Sequence, residues 1–600
     1  MFEHQLADIE QKFADFCQNN SLPAFTPDWK PIPFSGEWGT SVSLFALAAQ
    51  EARQRGQKIN VQARAAELAE QLKNFIGTPE GFSHLEAVKG YLNLYFNTAD
   101  YAKKVVQTVL AQANSFGRGA SKTEKVMVEY AQPNTHHSFH IGHYRNAILG
   151  ESLARLVEFS GYPVIRACYP GDIGLGVITV IWYYQKFCAG QEPEGIHARG
   201  QWLLQLYVEA NQLLEAKENE TPEETAQRQA YDAERRELYR RWDAGDPEVR
   251  ALWERTRQWS LDELKDILRQ MDIHMDVWFF ESQVDDLAKK IVEELIERGL
   301  ADDERPQGGA VVVHIDQKLG LTKEKYRSNI ILRSDGTTLY LTKDLALAKI
   351  KFEQYHVERS IYVIDVRQSL HMQQAFAILK LWGFPQAEKC YHLGYGFVSL
   401  PEGAMSARRG RLVLYQDVAE EAKQRVLNEI EQKNPEMPHE QRAEVAEKIG
   451  LGALAYAMLS VDNNRDIVFD MNQALSFDGR TGPYIQNAYV RANSILKKWQ
   501  TPIEPAAFDY PLTPHEIELI EQITRFPTAV QQAASEYRPL VMTTYAYELA
   551  NAFHSFYHAV PVIQAETAAI RSARLSLVQA AKQTLRNALA LLGITAPEVM

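Results

Sequence analysis

Val126-Met127-Val128-Glu129-Tyr130-Ala131-Gln132-Pro133-Asn134-Thr135-His136-His137-Ser138-Phe139-His140-Ile141-Gly142-His143-Tyr144-Arg145 is the stretch on which the reading turns. An apolar run enters a polar turn, and His140-Ile141-Gly142-His143 then opens a segment with Ile148, Leu149, Leu153, Leu156 and Val157 on one helical face. This order places the His-x-Gly-His at a helix N-terminus, where unpaired backbone N–H groups and the positive dipole end suit a phosphate. Gly142 has no Cβ and lets a flat purine approach the backbone. His140 and His143 can donate to phosphate oxygens whose charge grows during displacement. With 16 His and 33 Gly in 600 residues, the tetrapeptide is expected by chance roughly 0.02 times, so the stretch predicts an ATP site.

Strands at Val126–Tyr130 and Val164–Tyr169 flank that helix, a βαβ unit that predicts a parallel sheet with the site at its strand C-termini. Residues 186–275 are charged and helix-prone, and read as a solvated helical insertion without chemistry. Strand-like runs at Ala310–Ile315 and Ile361–Asp365 alternate with helical patterns, which predicts the second half of the nucleotide fold there. The expected catalytic domain is 119–395, Rossmann-like. Residues 1–118 combine amphipathic helices such as Asn60–Phe75 with the strand-like Gly90–Phe96, a small α/β domain. Residues 396–460 hold the Met405-Ser406 loop and connecting helices. The remainder, 461–600, reads as an all-α bundle interrupted by Pro502, Pro505, Pro511 and Pro514. The fold class is therefore α/β and multidomain.

A chain of 600 residues with 46% hydrophobic content needs several cores. No apolar run is long enough to span a bilayer, and the acidic MFEHQLADIEQKFADF lacks the features of a signal peptide, so no membrane and a cytoplasmic location are expected. Cys17, Cys168, Cys188 and Cys390 form no CxxC pair, so neither a structural metal nor a disulfide framework is expected. The net charge of −13 argues mildly against a nonspecific nucleic-acid coat. It leaves room for a nucleic acid held by local basic residues.

His140-Ile141-Gly142-His143 resembles the HIGH signature of class I aminoacyl-tRNA synthetases. Glu129-Tyr130-Ala131-Gln132-Pro133-Asn134 before it and Tyr144-Arg145-Asn146 after it resemble the arginyl-tRNA synthetase version. So do Tyr340-Leu341-Thr342-Lys343-Asp344, Arg367-Gln368-Ser369-Leu370-His371, Met405-Ser406-Ala407-Arg408-Arg409-Gly410 and Thr481-Gly482-Pro483-Tyr484-Ile485-Gln486, in the family's order. The resemblance implies a ligase that joins L-arginine to tRNA(Arg) through an arginyl-adenylate made from ATP, with Mg2+ as the nucleotide's counter-ion. It further implies a monomer and activation that awaits tRNA.

Residue by residue, the resemblance assigns the ATP phosphates to His140 and His143, and the nucleotide to Gln132, Gly142 and Met405. Glu129, Tyr340, Asp344 and Gln368 would line the arginine pocket, with Asn134 on the α-amino group. A guanidinium is a planar fork of five donors, which carboxylates and a phenol oxygen can satisfy. A neutral analogue would leave a buried carboxylate unpaired, so no editing domain is required. Tyr91 and Asn93 would meet the tRNA elbow, Tyr91 as a stacking partner, although a plain half-buried strand aromatic reads the same way. Tyr484, Arg491, Tyr557 and Met600 would form the anticodon surface, with Phe556-Tyr557 as exposed aromatics.

The Met405-Ser406 loop departs from the family's KMSK, because Ala404 and Ala407 stand at both lysine positions. Ser406, Arg408 and Arg409 are the expected catalytic residues there, with His137 helping to supply charge. The same alanines favour a catalytically degenerate tRNA-binding paralogue as the alternative. Another class I synthetase or a nucleotidylyltransferase is a further reading; the latter would need no C-terminal bundle.

Overall fold

All four residues of Val126–Glu129 are buried, as a strand covered on both faces must be, and they form the centre of a parallel sheet. The computed structural model describes residues 3–32, 34–56, 58–401 and 413–600. The chain packs as two compact units, one of residues 1–116, 491–525 and 551–585, the other of 117–490, 526–550 and 586–600.

In the first unit, strands β1 (Lys30–Ile32), β2 (Gly39–Ser43), β3 (Phe82–Val88) and β4 (Tyr91–Phe96) form an antiparallel sheet in the order β1-β2-β4-β3. Alternation along β4 buries Leu92, Leu94 and Phe96 and turns Tyr91, Asn93 and Tyr95 to the other face. Helix Val61–Ile76 is capped by Asn60, whose side chain accepts from the N–H groups of Gln62 and Ala63. It buries Leu68, Ala69 and Leu72. Trp38 donates its indole N–H to Glu521 at 3.2 Å, which joins the N-terminal domain to residues late in the chain.

In the second unit, β5 (Val126–Glu129), β6 (Val164–Cys168), β7 (Val277–Trp278), β11 (Arg359–Asp365) and β12 (Cys390–Tyr395) form the parallel sheet, ordered β12-β11-β5-β6-β7. The order reverses between β5 and β11, the topological switch point at which doubly wound folds bind ligands. Helix α1 (Ile141–Phe159) follows β5, helix α2 (Tyr340–Glu353) precedes β11, and helix α3 (Ser369–Trp382) follows it.

The run at Ala310–Ile315 does not join this sheet. Its core, β9 (Val311–His314), lies between β8 (Asp302–Asp303) and β10 (Ser328–Leu332) in a separate antiparallel sheet. The short return from Asp303 to Val311 selects antiparallel pairing of β8 and β9, whereas parallel neighbours need a long crossover. The expected insertion is helical, at Ile196–Leu214, Pro222–Asp243 and Pro247–Gln270. It is not merely solvated: Trp242, Trp253, Leu238 and Val249 bury against Val177, Ile178 and Ile181. From Gly482 onward the chain is helical, at Gly482–Lys498, Pro514–Ser535, Pro539–Ala559 and Ala568–Leu591.

Candidate active site

Where β5 and β11 end, the chain leaves a cleft of about 640 Å³. Asn146 on α1 fastens its two sides. Its Oδ1 accepts from the Ala131 N–H, and its Nδ2 donates to the Val363 carbonyl at 2.7 Å. Ala131 holds φ at +56°, which turns the chain off the strand and into the loop leading to the histidines.

The His-x-Gly-His is a reciprocal cap. His140 Nδ1 accepts from the backbone N–H of Gly142 at 3.0 Å and of His143 at 3.3 Å, and His143 Nδ1 accepts from the His140 N–H at 3.4 Å. Both Nδ1 atoms being acceptors, each ring carries its proton on Nε2. The rings stack with centroids 3.6 Å apart and planes 19° from parallel. Burial pushes His140 down to about 4 and His143 well below the usual imidazole range, with the neighbouring histidines adding to the effect. The two residues therefore enter the cleft as neutral N–H donors rather than cations. A Cβ on Gly142 would stand 2.9 Å from His140 Cε1, so the glycine makes room for the cap as well as facing the cleft.

The neighbouring histidines supply no charge. His136 is fully buried between Thr135 Oγ1 at 3.0 Å and Thr256 Oγ1 at 2.8 Å, and burial pushes it down to about 3. His137 packs on the Tyr207 ring at 4.4 Å and is likewise lowered by burial, which removes it as the expected substitute for a missing lysine. Thr256 and Ser260, which accepts from the His136 N–H at 2.7 Å, belong to helix Pro247–Gln270. So does Arg257, paired with the buried Asp172 at 2.9 Å. The insertion expected to have no bearing on the chemistry thus braces the loop before the His-x-Gly-His.

Glu129, Tyr340, Asp344 and Gln368 line the same cleft as the histidines, together with Tyr169 and Glu281. Tyr340 opens α2 and is 66% exposed, and Asp344 follows one turn on. Each carboxylate already has an internal partner: Glu129 has Lys351 at 2.6 Å, Asp344 has His371 at 2.6 Å, and Glu281 has Lys343 at 3.6 Å. Burial raises Glu129 against the pull of Lys351, and raises Glu281 to about 7 against Lys343. Burial works against a His371 cation, yet the bond and charge of Asp344 hold it above its ordinary value. Distributing the cations in this way lets acidic groups share one cleft without a ligand.

Asn134 lies along the same wall, close to Gly171, where a Cβ would come within 2.4 Å of Asn134 Oδ1. Gln132 Oε1 and the Tyr169 hydroxyl line the cleft buried, with no hydrogen-bond partner among the described residues. Such groups are costly unless a ligand completes them.

Nine of the expected residues thus meet in one cleft: Glu129, Gln132, Asn134, His140, Gly142, His143, Tyr340, Asp344 and Gln368. Met405, Ser406, Arg408 and Arg409 lie outside the described residues, as do Ala404 and Ala407. Sequence reasoning missed Lys351, His371, Glu281, Tyr169 and Asn146. Lys351 stands seven residues after Asp344 and His371 three after Gln368, helical spacings that could have found both. Among the described residues no group of three or more His, Cys, Asp or Glu could hold a metal ion, and no helix is long and apolar enough to cross a membrane.

None of the expected tRNA residues is among those that line the cleft. In the first unit, Tyr91 is 45% exposed, with its ring edge-on to Phe45 at 5.5 Å, and Asn93 accepts from Ser41 Oγ at 2.6 Å beside it. In the same unit Arg491 donates to His554 Nδ1 at 3.0 Å and His558 Nε2 at 3.2 Å, with its guanidinium 5.0 Å from the Tyr557 ring centre. Tyr557 is 39% exposed, whereas Phe556 is fully buried and is core rather than surface. In the second unit Tyr484 packs on Tyr547 at 5.5 Å. Met600 packs beside Val599 on the cluster of Val426, Ile430, Val445 and Ile449.

Residues 105–471 match the family of class I (R) tRNA synthetase catalytic domains, and residues 485–600 match the DALR anticodon binding domain. The chain is 37% identical to the arginine–tRNA ligase of Bdellovibrio bacteriovorus, over 85% of this chain and 86% of that one. It is 34% identical to that of Clostridium acetobutylicum, over 87% and 88%. Among solved structures it is similar to Thermus thermophilus arginyl-tRNA synthetase, with a TM-score of 0.77 at 26% identity, covering 99% of this chain and 100% of that one.

Proposed function

The chain belongs to the arginyl-tRNA synthetase family of class I synthetases, and from that membership we propose how the cleft divides the work of the reaction. The activity is the attachment of L-arginine to its tRNA, through an adenylate formed from ATP. The carboxylate of arginine attacks the α-phosphorus, pyrophosphate leaves, and a terminal hydroxyl of tRNA then takes the aminoacyl group from AMP. No proton need be removed in the first step, so positioning and charge stabilisation carry it.

In this reading ATP enters as its magnesium complex and lies over Gly142. The Nε2–H donors of His140 and His143 meet its phosphates, and Gln132 meets the nucleotide. A neutral donor held by its own backbone cap needs no reorganisation as charge grows on the phosphate oxygens. Arginine lies at the carboxylate end, with its guanidinium against Asp344, Tyr340, Glu129 and Glu281, its α-amino group at Asn134, and Gln368 closing the wall. The carrying observation is that Glu129, Asp344 and Glu281 converge on the same cleft as the stacked histidines. Three acidic side chains suit a cationic substrate and repel a second carboxylate.

We assign tRNA elbow contact to Tyr91 and Asn93 in the N-terminal domain, 1–118. Anticodon contact is assigned to Arg491, Tyr557, Tyr484 and Met600 in the helical domain, 461–600. The catalytic domain is 119–395, and 396–460 carries the Met405-Ser406 loop with Ser406, Arg408 and Arg409. A cytoplasmic monomer completes the reading. Intact Glu129, Asn134, His140, His143, Asp344 and Gln368 leave the degenerate-paralogue alternative with only the two alanines in its favour. Charging of bulk tRNA with labelled arginine, lysine, glutamate or glutamine tests the reading: arginine alone is attached, and a chain that binds tRNA but charges nothing refutes it.

A further inference from the structure

The cleft must receive a polyanion, yet its charge inventory runs the other way. Glu129, Glu281, Asp344 and Asp365 line it, His140 and His143 are neutral, and the loop that carries lysines in KMSK sequences has Ala404 and Ala407 in their places. Lys351 and Lys343 are spent on Glu129 and Glu281, behind the cleft wall. Among the described residues Arg367 is the only lysine or arginine that lines the cleft.

Arg367 is built to present a guanidinium. It stands just past the end of β11, at the topological switch point where ligands of such folds lie. Asp365 accepts from its backbone N–H at 2.8 Å, from Nε at 2.8 Å and from Nη2 at 2.6 Å. This side-on grip fixes the plane of the fork and leaves Nη1 without a hydrogen bond among the described residues. The guanidinium lies 5.6 Å from the ring centre of Phe397, which also lines the cleft. Its side chain is 73% exposed, so a ligand reaches it without first breaking a core contact. A planar fork already oriented by a carboxylate loses little freedom on meeting a phosphate.

We propose that Arg367 is an ATP-binding catalytic residue that meets the phosphate chain and the departing pyrophosphate, supplying charge that the Ala404 and Ala407 positions lack. Asp365 is its positioning partner. The inference rests on the arginine–tRNA ligase reading for the identity of the nucleotide's chemistry, and the position of Arg367 in the cleft is independent of which tRNA is charged.

The test uses the full chain and Arg367→Ala, with Arg367→Lys as the conservative variant, in pyrophosphate exchange at saturating arginine and tRNA. Arg367→Ala raises the KM for ATP and for pyrophosphate by about tenfold to a hundredfold, the loss of one charge-assisted contact. The KM for arginine stays within twofold, and Arg367→Lys recovers part of the loss. The same factor appears with 2′-deoxy-ATP. The proposal is overturned by an ATP KM within twofold of the parent, by a fall in kcat that tracks a lowered melting temperature, or by an effect that disappears with 2′-deoxy-ATP and so belongs to the ribose. Calorimetric titration of each protein with MgATP reads the same contact without turnover. Failure of the parent chain to charge tRNA would then sink the ligase reading alone, while equal MgATP affinities of parent and Arg367→Ala would sink this one.

Discussion

Lys351 Nζ lies 2.6 Å from the Glu129 carboxylate, and the lysine side chain is fully buried. A lysine on α2 thereby pairs with a carboxylate that ends β5 and lines the cleft. Removing one partner of such a pair leaves an uncompensated buried charge, which costs about 3–5 kcal/mol. Lys351→Met is therefore expected to lower unfolding free energy by about that amount in urea titration. Adding Glu129→Gln should recover most of it while leaving arginine binding impaired. A Lys351→Met protein as stable as the parent would show the pair to be energetically idle.

Asp344 shares its charge between His371 and the cleft. Asp344→Asn is expected to raise the KM for arginine by about tenfold to a hundredfold, with the KM for ATP nearly unchanged. Parallel loss of both would mean that the site as a whole had shifted.

In the proposed reaction the stacked histidines act as fixed donors to developing negative charge. Replacing His143 with alanine removes one such donor and is expected to cut kcat for pyrophosphate exchange by about 10²–10³-fold. His140→Ala also removes the helix cap, about 1 kcal/mol of stability, so it should lower both the rate and the melting temperature. A His143→Ala enzyme with full exchange activity contradicts the assignment.

The lowered histidines make a contribution of definite sign to the stability profile. His136 at about 3 and His140 at about 4 bind protons less readily in the fold than in the unfolded chain, where imidazole titrates near 6.5. The unfolded chain takes up more protons through that interval, so stability is full above about 6.5 and falls as pH drops towards 4. His371 has the opposite sign: its raised value contributes stability below about 6.5 that is lost as pH rises through the folded value. Glu281, raised to about 7 by burial, and the likewise buried Glu263, raised to about 8, share the sign of His371: their stability is lost as pH rises from about 4.5 to the folded values. The histidine contribution is therefore read by difference: the melting temperature of His136→Gln should fall less, or rise more, from pH 7 to 5 than that of the parent, and His371→Asn should soften only the alkaline loss. Identical pH 7-to-5 changes in parent and His136→Gln would contradict a neutral His136.

Tyr91 and Tyr557 are partly exposed and are the proposed stacking partners of unpaired bases. Stacking of one base is worth about 1–3 kcal/mol, so Tyr91→Ala and Tyr557→Ala should each raise the KM for tRNA by roughly fivefold or more. Their KM values for ATP and arginine should not move. An equal rise in all three would point to a fold defect rather than a lost contact.

The His-x-Gly-His was legible because its geometry is local: a strand, a turn and a helix start occupy Val126 to Arg145. The pairing of distant charges was not. Lys351 and His371 could be found only through helical spacing, and Glu281 carries no pattern of its own at the start of helix Glu281–Glu297. The run at Ala310–Ile315 misled because alternation reports that a strand exists and is silent about which sheet receives it. Phe556 misled similarly, since an aromatic beside Tyr557 looks the same from either face of a helix until the packing is known. Arg367 stood inside a recognised segment, but its meaning emerged only when the cleft was found to contain no other lysine or arginine among the described residues.

Strand β11 pairs with β5 so that Arg359 lies opposite Val126, partners separated by roughly 230 residues of chain, the kind of non-local contact that slows folding. At about 5–20 residues per second of synthesis, on the order of 10–50 s pass between the emergence of the two strands from the ribosome. Through that interval the nascent chain carries Glu129 without Lys351, Asn146 tied to Ala131 but not yet to Val363, and an apolar sheet edge open where β11 will dock. This protein is born with its His-x-Gly-His complete and the facing wall of its cleft missing, a wall finished only when Val398 has been added.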